Sequence, residues 1–331
     1  MTSRTASPRP PSPALPGNRR RRLPAAALSL LLLLLPAAPL EAQGPPINTD
    51  TAFVNGLEGA AFRTFLFSVR RSGLSRDGRD VDDPLDREVS VYGVPIIFPY
   101  ELVKNKLVLA VGLPILRKEM TLTRDEKRRT LSTSGIGDAF IKSKLLLVQH
   151  DKPGRTTRFA MTGAIKLPTG KDDERDSEGN LLPPPLQLGA GSVDYTVGGV
   201  FTHVRKRIGF NADAGYHFRT QARGFAFGDS VTYNVSLGYR LAPKVYKVYP
   251  ARNHINAYIE LNGQSSQRDR ARGRPLGDSG GTLLYLSPGI QFIPANFIIE
   301  ASLRLPVLQS LNGTQLRFQP SFTVGMRWLL F

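Results

Sequence analysis

From about residue 60 to the end of the chain, apolar and polar residues alternate with period two, and no long helical pattern interrupts them. In the run VTYNVSLGYRL, Val231, Tyr233, Val235, Leu237, Tyr239 and Leu241 share one face, while Thr232, Asn234, Ser236, Gly238 and Arg240 share the other. Successive side chains of a strand point to opposite sides, so this pattern specifies a strand with one apolar and one polar face. The same alternation recurs in IGFNADAGYHFR, SVDYTVGGVFT and FIIEASLRL. Twelve candidate strands follow, near 62–72, 87–100, 106–116, 135–150, 155–168, 191–203, 208–220, 229–242, 253–266, 281–293, 296–306 and 314–331. Most exceed the roughly 5–6 residues of an ordinary globular strand. They match the roughly 9–11 residues that a tilted membrane strand requires.

The alternation also fits a soluble β-sandwich, which buries one face and solvates the other. The connections favour a membrane barrel. They alternate long (73–86, 117–134, 169–190, 221–228, 267–280, 307–313) and short (101–105, 151–154, 204–207, 243–252, 294–295). Outer-membrane barrels have short periplasmic turns and longer external loops. An even strand number places both termini on the periplasmic side. The expected fold is therefore all-β: an antiparallel up-and-down transmembrane barrel of about 12 strands with periplasmic termini. Closure removes the unpaired strand edges that lipid cannot satisfy. The long loops, such as RDGRDVDDPLDRE and KDDERDSEGN, are polar and suit water and lipopolysaccharide phosphates.

Residues 1–42 read as a signal peptide. Six arginines precede the thirteen-residue apolar run Leu23–Leu35, and small residues end at Ala42. As helix that run is about 20 Å long, short of the roughly 30 Å hydrocarbon core. The formal net charge of +17 falls when this segment is removed but stays positive. Export makes nucleic acid an unsuitable partner. The expected location is the bacterial outer membrane, reached through the periplasm. Residues 43–60 form a periplasmic N-terminal segment, with a free tail and an inserted plug both open; the barrel occupies 61–331.

Aromatics cluster at the expected periplasmic ends: Phe98, Tyr100, Phe201, Phe210, Tyr239, Phe292, Phe297, Trp328 and Phe331. An interfacial girdle predicts this, and the outer strand ends read as poorer in aromatics. The terminal Phe331 fits a signal for the barrel-assembly machinery, although Phe322, Val324, Met326 and Trp328 are out of phase with it.

Three motifs carry a resemblance. GIGD (Gly135–Asp138), LPTG (Leu167–Gly170) and the G-x-GS-x-D-Y of Gly189–Tyr195 resemble the MetA-pathway of phenol degradation family, transporter-like outer-membrane barrels. The resemblance runs over most of 60–331. It implies uptake of aromatic or other hydrophobic compounds.

Few residues suggest chemistry. The absence of cysteine excludes a thiol nucleophile and a zinc ribbon. PTGK (Pro168–Lys171) lacks P-loop spacing and reads as a turn. The four histidines form no metal motif, so no metal and no cofactor are expected. His217, with Ser236 or Asn234 on the next strand, is the pair to inspect for a lipid-hydrolase site. The informative charges are those on the inward faces: Lys142, Lys144, Lys166, Asp194, Asp213, His217, Arg219, Arg240, Glu260, Glu300 and Arg304, with Arg317 and Arg327. In a channel these line the pore and select permeants by charge; in a filled barrel they pair with one another. The Pro-rich NLLPPPLQL (Asn180–Leu188) reads as a stiff exposed loop, the alternatives being a lumenal constriction or a cover over a hydrophobic ligand. The expected function is passive uptake of small solutes, with an outer-membrane enzyme or a structural or adhesion barrel as alternatives.

Overall fold

The computed structural model describes residues 44–54, 60–244, 253–294 and 296–330. The segment read as a signal peptide, the 245–252 part of one short connection, and Phe331 lie outside the described residues. Twelve antiparallel strands form the barrel. They are β1 (Ala60–Arg76), β2 (Glu88–Val103), β3 (Leu107–Arg124), β4 in two halves (Lys127–Ile136 and Phe140–Lys152), β5 (Arg155–Lys166), β6 (Asp194–Arg205), β7 (Ile208–Phe218), β8 (Ser230–Ala242), β9 (His254–Ser266), β10 (Gly281–Ile293), β11 (Phe297–Leu311) and β12 in two halves (Thr314–Phe318 and Ser321–Leu330). Each strand pairs with its sequence neighbours. β1 closes the cylinder, pairing with β2 from Ala60↔Tyr100 to Ser72↔Glu88 and with β12 from Ala60↔Leu330 to Phe67↔Thr323.

The barrel is inside out relative to a water-soluble core. Along β8, Val231, Val235, Leu237 and Leu241 are exposed on the outer wall, whereas Ser236 is 0% and Arg240 3% exposed on the inner one. Thr202, Asn256, Glu260, Ser287, Gln291 and Glu300 are likewise buried inside. An apolar belt around a polar interior is stable only where the surroundings are apolar.

Aromatics mark both rims. At the periplasmic rim, Phe98, Tyr100, Phe201, Phe210, Tyr239, Phe292 and Phe297 are exposed, and Phe297 stacks on Trp328 with centroids 5.3 Å apart. Tyr92, Tyr195, Phe218 and Tyr233 are exposed near the outer ends. This corrects the expectation of an aromatic-poor outer rim: both interfaces attract amphipathic rings.

Two of the expected long loops are mostly strand. β3 and the first half of β4 continue through 117–134 as a hairpin, turning only at Asp125 and Glu126, both with positive φ (50° and 58°). β11 runs to Leu311, so the 307–313 loop shrinks to Asn312 and Gly313. The physical reason is common to both. A strand projecting beyond the bilayer no longer faces lipid and keeps its ladder without an apolar outer side, as the Thr121–Thr130 hydroxyl pair (3.1 Å) illustrates.

Candidate functional site in the barrel lumen

Residues 44–54 do not hang below the barrel. They enter it, rise to mid-height and descend on the far side, forming an arch. Of the tail and the plug left open for this segment, its described residues take the position of the plug. A Pro-Pro start and the polar NTDT sequence supply no alternation, so the segment cannot join the sheet and its backbone groups need other partners.

The interior wall supplies them. At the ascending foot, Tyr258 Oη donates to Gly44 O (2.5 Å), Gln291 Nε2 to Pro45 O (2.9 Å) and Arg327 Nη2 to Pro46 O (2.6 Å). Arg63 Nη2 donates to Ile47 O (3.0 Å). Gly289 makes room beside Ile47, since a Cβ there would lie 2.5 Å from Ile47 Cδ1. At the crest, Glu260 accepts the backbone N–H groups of Ile47, Asn48 and Thr49 and the Thr49 hydroxyl, at 2.6–3.1 Å. Asp50 N–H donates to Asp213 (2.7 Å), and the Asp50 carboxylate accepts Lys142 Nζ (2.7 Å) and Lys144 Nζ (2.6 Å). On the descent, Thr202 Oγ1 accepts Ala52 N–H (2.8 Å), and Ala52 and Val54 pack with Val108, Leu146, Ala160 and Val200.

Among the described residues, most of the remaining interior charges are paired in the wall, Arg304 being an exception. Glu300 holds Arg327 (2.9 Å) and Arg63 (3.4 Å). Asp213, Asn234, Asn262 and Ser287 form a hydrogen-bonded chain across β7–β10. Near the outer rim, Lys166 bridges Asp138 (2.9 Å) and Asp194 (3.0 Å), and Arg219 joins Asp194 (3.0 Å). Arg240 is buried near the periplasmic end, where its carbonyl accepts Arg207 Nε (2.9 Å). Arg304 lies over the Tyr285 ring, 4.3 Å from its centroid. Arg317 stands on the outer extension, paired with Asp80. His217 sits between two threonine hydroxyls, Nδ1 at 2.9 Å from Thr196 and Nε2 at 3.1 Å from Thr232. The expected pairing of His217 with Ser236 or Asn234 is not formed: Asn234 bonds Asp213 and Asn262, and Ser236 lies further down the wall. Sequence reasoning missed Arg63, Tyr258 and Gln291. Arg63 lies on the strand with the weakest pattern, and Tyr258 and Gln291 are uncharged.

The three family-like motifs meet at one place on the outer rim. Asp138 accepts the N–H groups of Gly170 (3.0 Å) and Ala190 (2.9 Å), clamping both ends of the longest loop. The glycines allow the backbones to touch: a Cβ on Gly189 would lie 2.2 Å from Gly170 O, and one on Gly170 would lie 2.9 Å from Gly137 C. Within the PTGK turn, Thr169 Oγ1 accepts Ala139 N–H (2.8 Å). The clamped loop folds inward, with Leu182, Leu186 and Leu188 buried and Leu186 O accepting the Thr133 hydroxyl (2.7 Å). The expected stiff exposed loop over 180–188 is thus a packed one. Its leucines find apolar cover against the inner face of the β3–β4 hairpin, where Lys118 Nζ donates to Gln187 O (2.5 Å).

A family model described as Putative MetA-pathway of phenol degradation matches residues 78–304, more than half of the chain. Among solved structures, the chain is similar to an outer membrane channel from Pseudomonas putida F1, with 13% identity over 87% of this chain and 100% of that one, and a TM-score of 0.60. A weaker likeness, with a TM-score of 0.42, is to the beta domain of a Bordetella autotransporter, 10% identical over 82% of this chain and 99% of that one. No curated protein matches the sequence significantly.

Proposed function

Because the chain belongs to the family described as Putative MetA-pathway of phenol degradation, we propose that it is an outer-membrane channel for passive uptake of small solutes, aromatic or hydrophobic compounds among them. One observation carries the reading: a closed barrel with a polar interior, crossed by a single chain segment held mainly by hydrogen bonds. Water can replace such bonds at a net cost of about 1 kcal/mol for a neutral pair and about 1.5–3 kcal/mol where one partner is charged, so the obstruction is removable while the barrel stands. The interior charges named above line the path once the segment moves and set its ion preference. The chain reaches the outer membrane by signal-peptide export and insertion by the barrel-assembly machinery. There it meets membrane lipid on its belt and lipopolysaccharide at its outer loops. No cofactor enters this reading. A lipid-hydrolase reading has no support from His217, whose two hydroxyl partners are threonines flanked by no bonded carboxylate.

Conductance of the refolded protein across a planar bilayer tests the proposal, with a heat-modifiable gel shift as the folding control. Stepwise currents are expected. A folded, inserted protein that passes neither ions nor a small aromatic solute refutes the channel and leaves a structural barrel.

A further inference from the structure

Above the arch, the lumen contains a cavity of about 240 Å³, floored by Ile47 and Asn48. Arg63, Phe65, Phe67 and Arg304 wall it. Past Asn234 and Asn262 it continues into a smaller space of about 90 Å³ beside Tyr285 and Gln264, close to the outer strand ends. The composition of this wall is unlike the rest of the interior. Elsewhere the inner face is mainly serine, threonine, asparagine and paired charge, with small aliphatic residues under the descending arm of the arch and the single ring of Tyr258 at its ascending foot. Here three rings line the two spaces, Phe65, Phe67 and Tyr285, with Arg304 over Tyr285 (4.3 Å) and Arg63 over Phe65 (4.8 Å); beyond them Arg71 lies over Phe318 (3.9 Å). The register sets these pairs at successive depths. Arg71 and Phe318 are opposite each other near the top, Arg304 is level with Ser321, Phe67 with Thr323, and Arg63 with Arg327 nearest the base.

Arg304 is the distinctive member. Among the described residues it forms no salt bridge, and its Nε is buried without a hydrogen-bond partner. The nearby carboxylates are occupied: Glu300 by Arg63 and Arg327, Glu260 by the arch. A planar guanidinium held against a ring presents its fork to a carboxylate more favourably than to water. Rings alongside it accept a further ring in offset or edge-to-face contact. The cavity is smaller than the roughly 300–1,000 Å³ of pockets for drug-sized ligands, which limits the guest to one ring.

We infer that this cavity is an outward-facing binding site for a single-ring aromatic carboxylate, its carboxylate on Arg304 and its ring among Phe65, Phe67 and Tyr285. A neutral hydrocarbon leaves Arg304 unsatisfied, and an aliphatic acid leaves the rings unused. The assignment rests on the reading of the lumen as a solute path, which delivers the ligand to the arch from outside.

The test is equilibrium binding to the full-length refolded barrel in detergent, by calorimetry, with benzoate, benzyl alcohol and cyclohexanecarboxylate as probes. Benzoate is expected to bind at least tenfold tighter than either of the others. Arg304→Gln is expected to lose at least tenfold in benzoate affinity while leaving benzyl alcohol unchanged. Arg304→Lys, which keeps the charge but not the fork, is expected to fall between them and stands in if the glutamine variant fails to fold. Absence of benzoate binding, equal binding of all three probes, or unchanged affinity in both Arg304 variants overturns the assignment. Conductance of the same preparation separates the two readings. A barrel that binds benzoate but passes no current keeps the site and loses the channel; one that conducts but does not bind loses the site and keeps the channel.

Discussion

Glu260 is the residue on which closure of the lumen depends most, and Glu260→Ala is the perturbation that isolates it. Its carboxylate is fully buried at mid-barrel and accepts three consecutive backbone N–H groups and one hydroxyl from the crossing segment. A hydrogen bond to a charged group contributes about 1.5–3 kcal/mol net. Three backbone donors at the low end give about 4.5 kcal/mol. Water entering the space left by the side chain restores part of this, so about 3 kcal/mol is lost from the closed state. That shifts the open-to-closed ratio by about a hundredfold. The barrel itself loses no ladder bond, because Glu260 pairs with Ser236 and Ser287 through backbone alone.

The assay is single-channel recording in planar bilayers, with the heat-modifiable gel shift showing that the variant folds. Glu260→Ala is expected to spend far more time in a high-conductance state than the parent chain. Glu260→Gln keeps one acceptor oxygen and loses the charge, and is expected to lie between them. A chain deleted for residues 44–54 sets the fully open limit. If Glu260→Ala folds, and its open probability and conductance equal those of the parent while the deletion opens the channel, the carboxylate is not what holds the segment. The reasoning then fails at the step from geometry to energy.

Further outcomes follow from the same structure. Asp50→Asn leaves Lys142 and Lys144 without their counter-charge in the lumen, so reversal potentials in a salt gradient are expected to move toward the anion; an unchanged potential removes Asp50 from the path. Asp138→Ala frees two backbone donors at the loop junction, a local cost of about 2 kcal/mol. Limited proteolysis within 171–190 is expected to accelerate while the gel shift of the barrel persists. Leu237→Arg places a cation on the lipid-facing belt at a cost of about 2–4 kcal/mol near the midplane. The refolded fraction in bilayers is expected to fall, and full refolding refutes the assignment of that face to lipid.

Period two made the fold legible. A membrane strand must alternate, and the loops must be wet, so strand number, direction and the position of most connections follow from residue type. Two kinds of feature escaped that logic. The hairpin at 117–134 is strand without an apolar outer face, because above the bilayer its outer side meets water and its inner side meets the 180–188 loop; its charges look like those of a loop. The arch at 44–54 has no period at all, and its place is fixed by acceptors and donors that arrive from strands 150 or more residues away, such as Thr202 and Glu260. The interior charges were legible as a face. Their partners were not, because pairing across a lumen depends on register and shear rather than on sequence spacing. Asp50 shows the difference: nothing near it in the chain marks it as the counter-charge of two lysines on β4.

The division of forces explains how a barrel of this kind can be blocked and still serve as a path. Barrel backbone bonds lie in lipid, where a broken bond has no substitute partner and costs several kcal/mol. Arch bonds lie in a polar lumen, where water replaces a broken bond at about 1 kcal/mol for a neutral pair and about 1.5–3 kcal/mol where one partner is charged. The two sets of contacts therefore differ in stability, although both consist of hydrogen bonds. The arch can leave the interior without loosening a strand, provided its few strong anchors yield. Those anchors are the buried carboxylate of Glu260 and the Asp50–lysine pair, both at the crest. The ascending foot is held by Tyr258, Gln291 and the Arg327 guanidinium, one bond each, and the descending foot by Thr202. A solute or field acting from the outer cavity reaches the crest first at Ile47 and Asn48, whose backbone N–H groups are themselves held by Glu260.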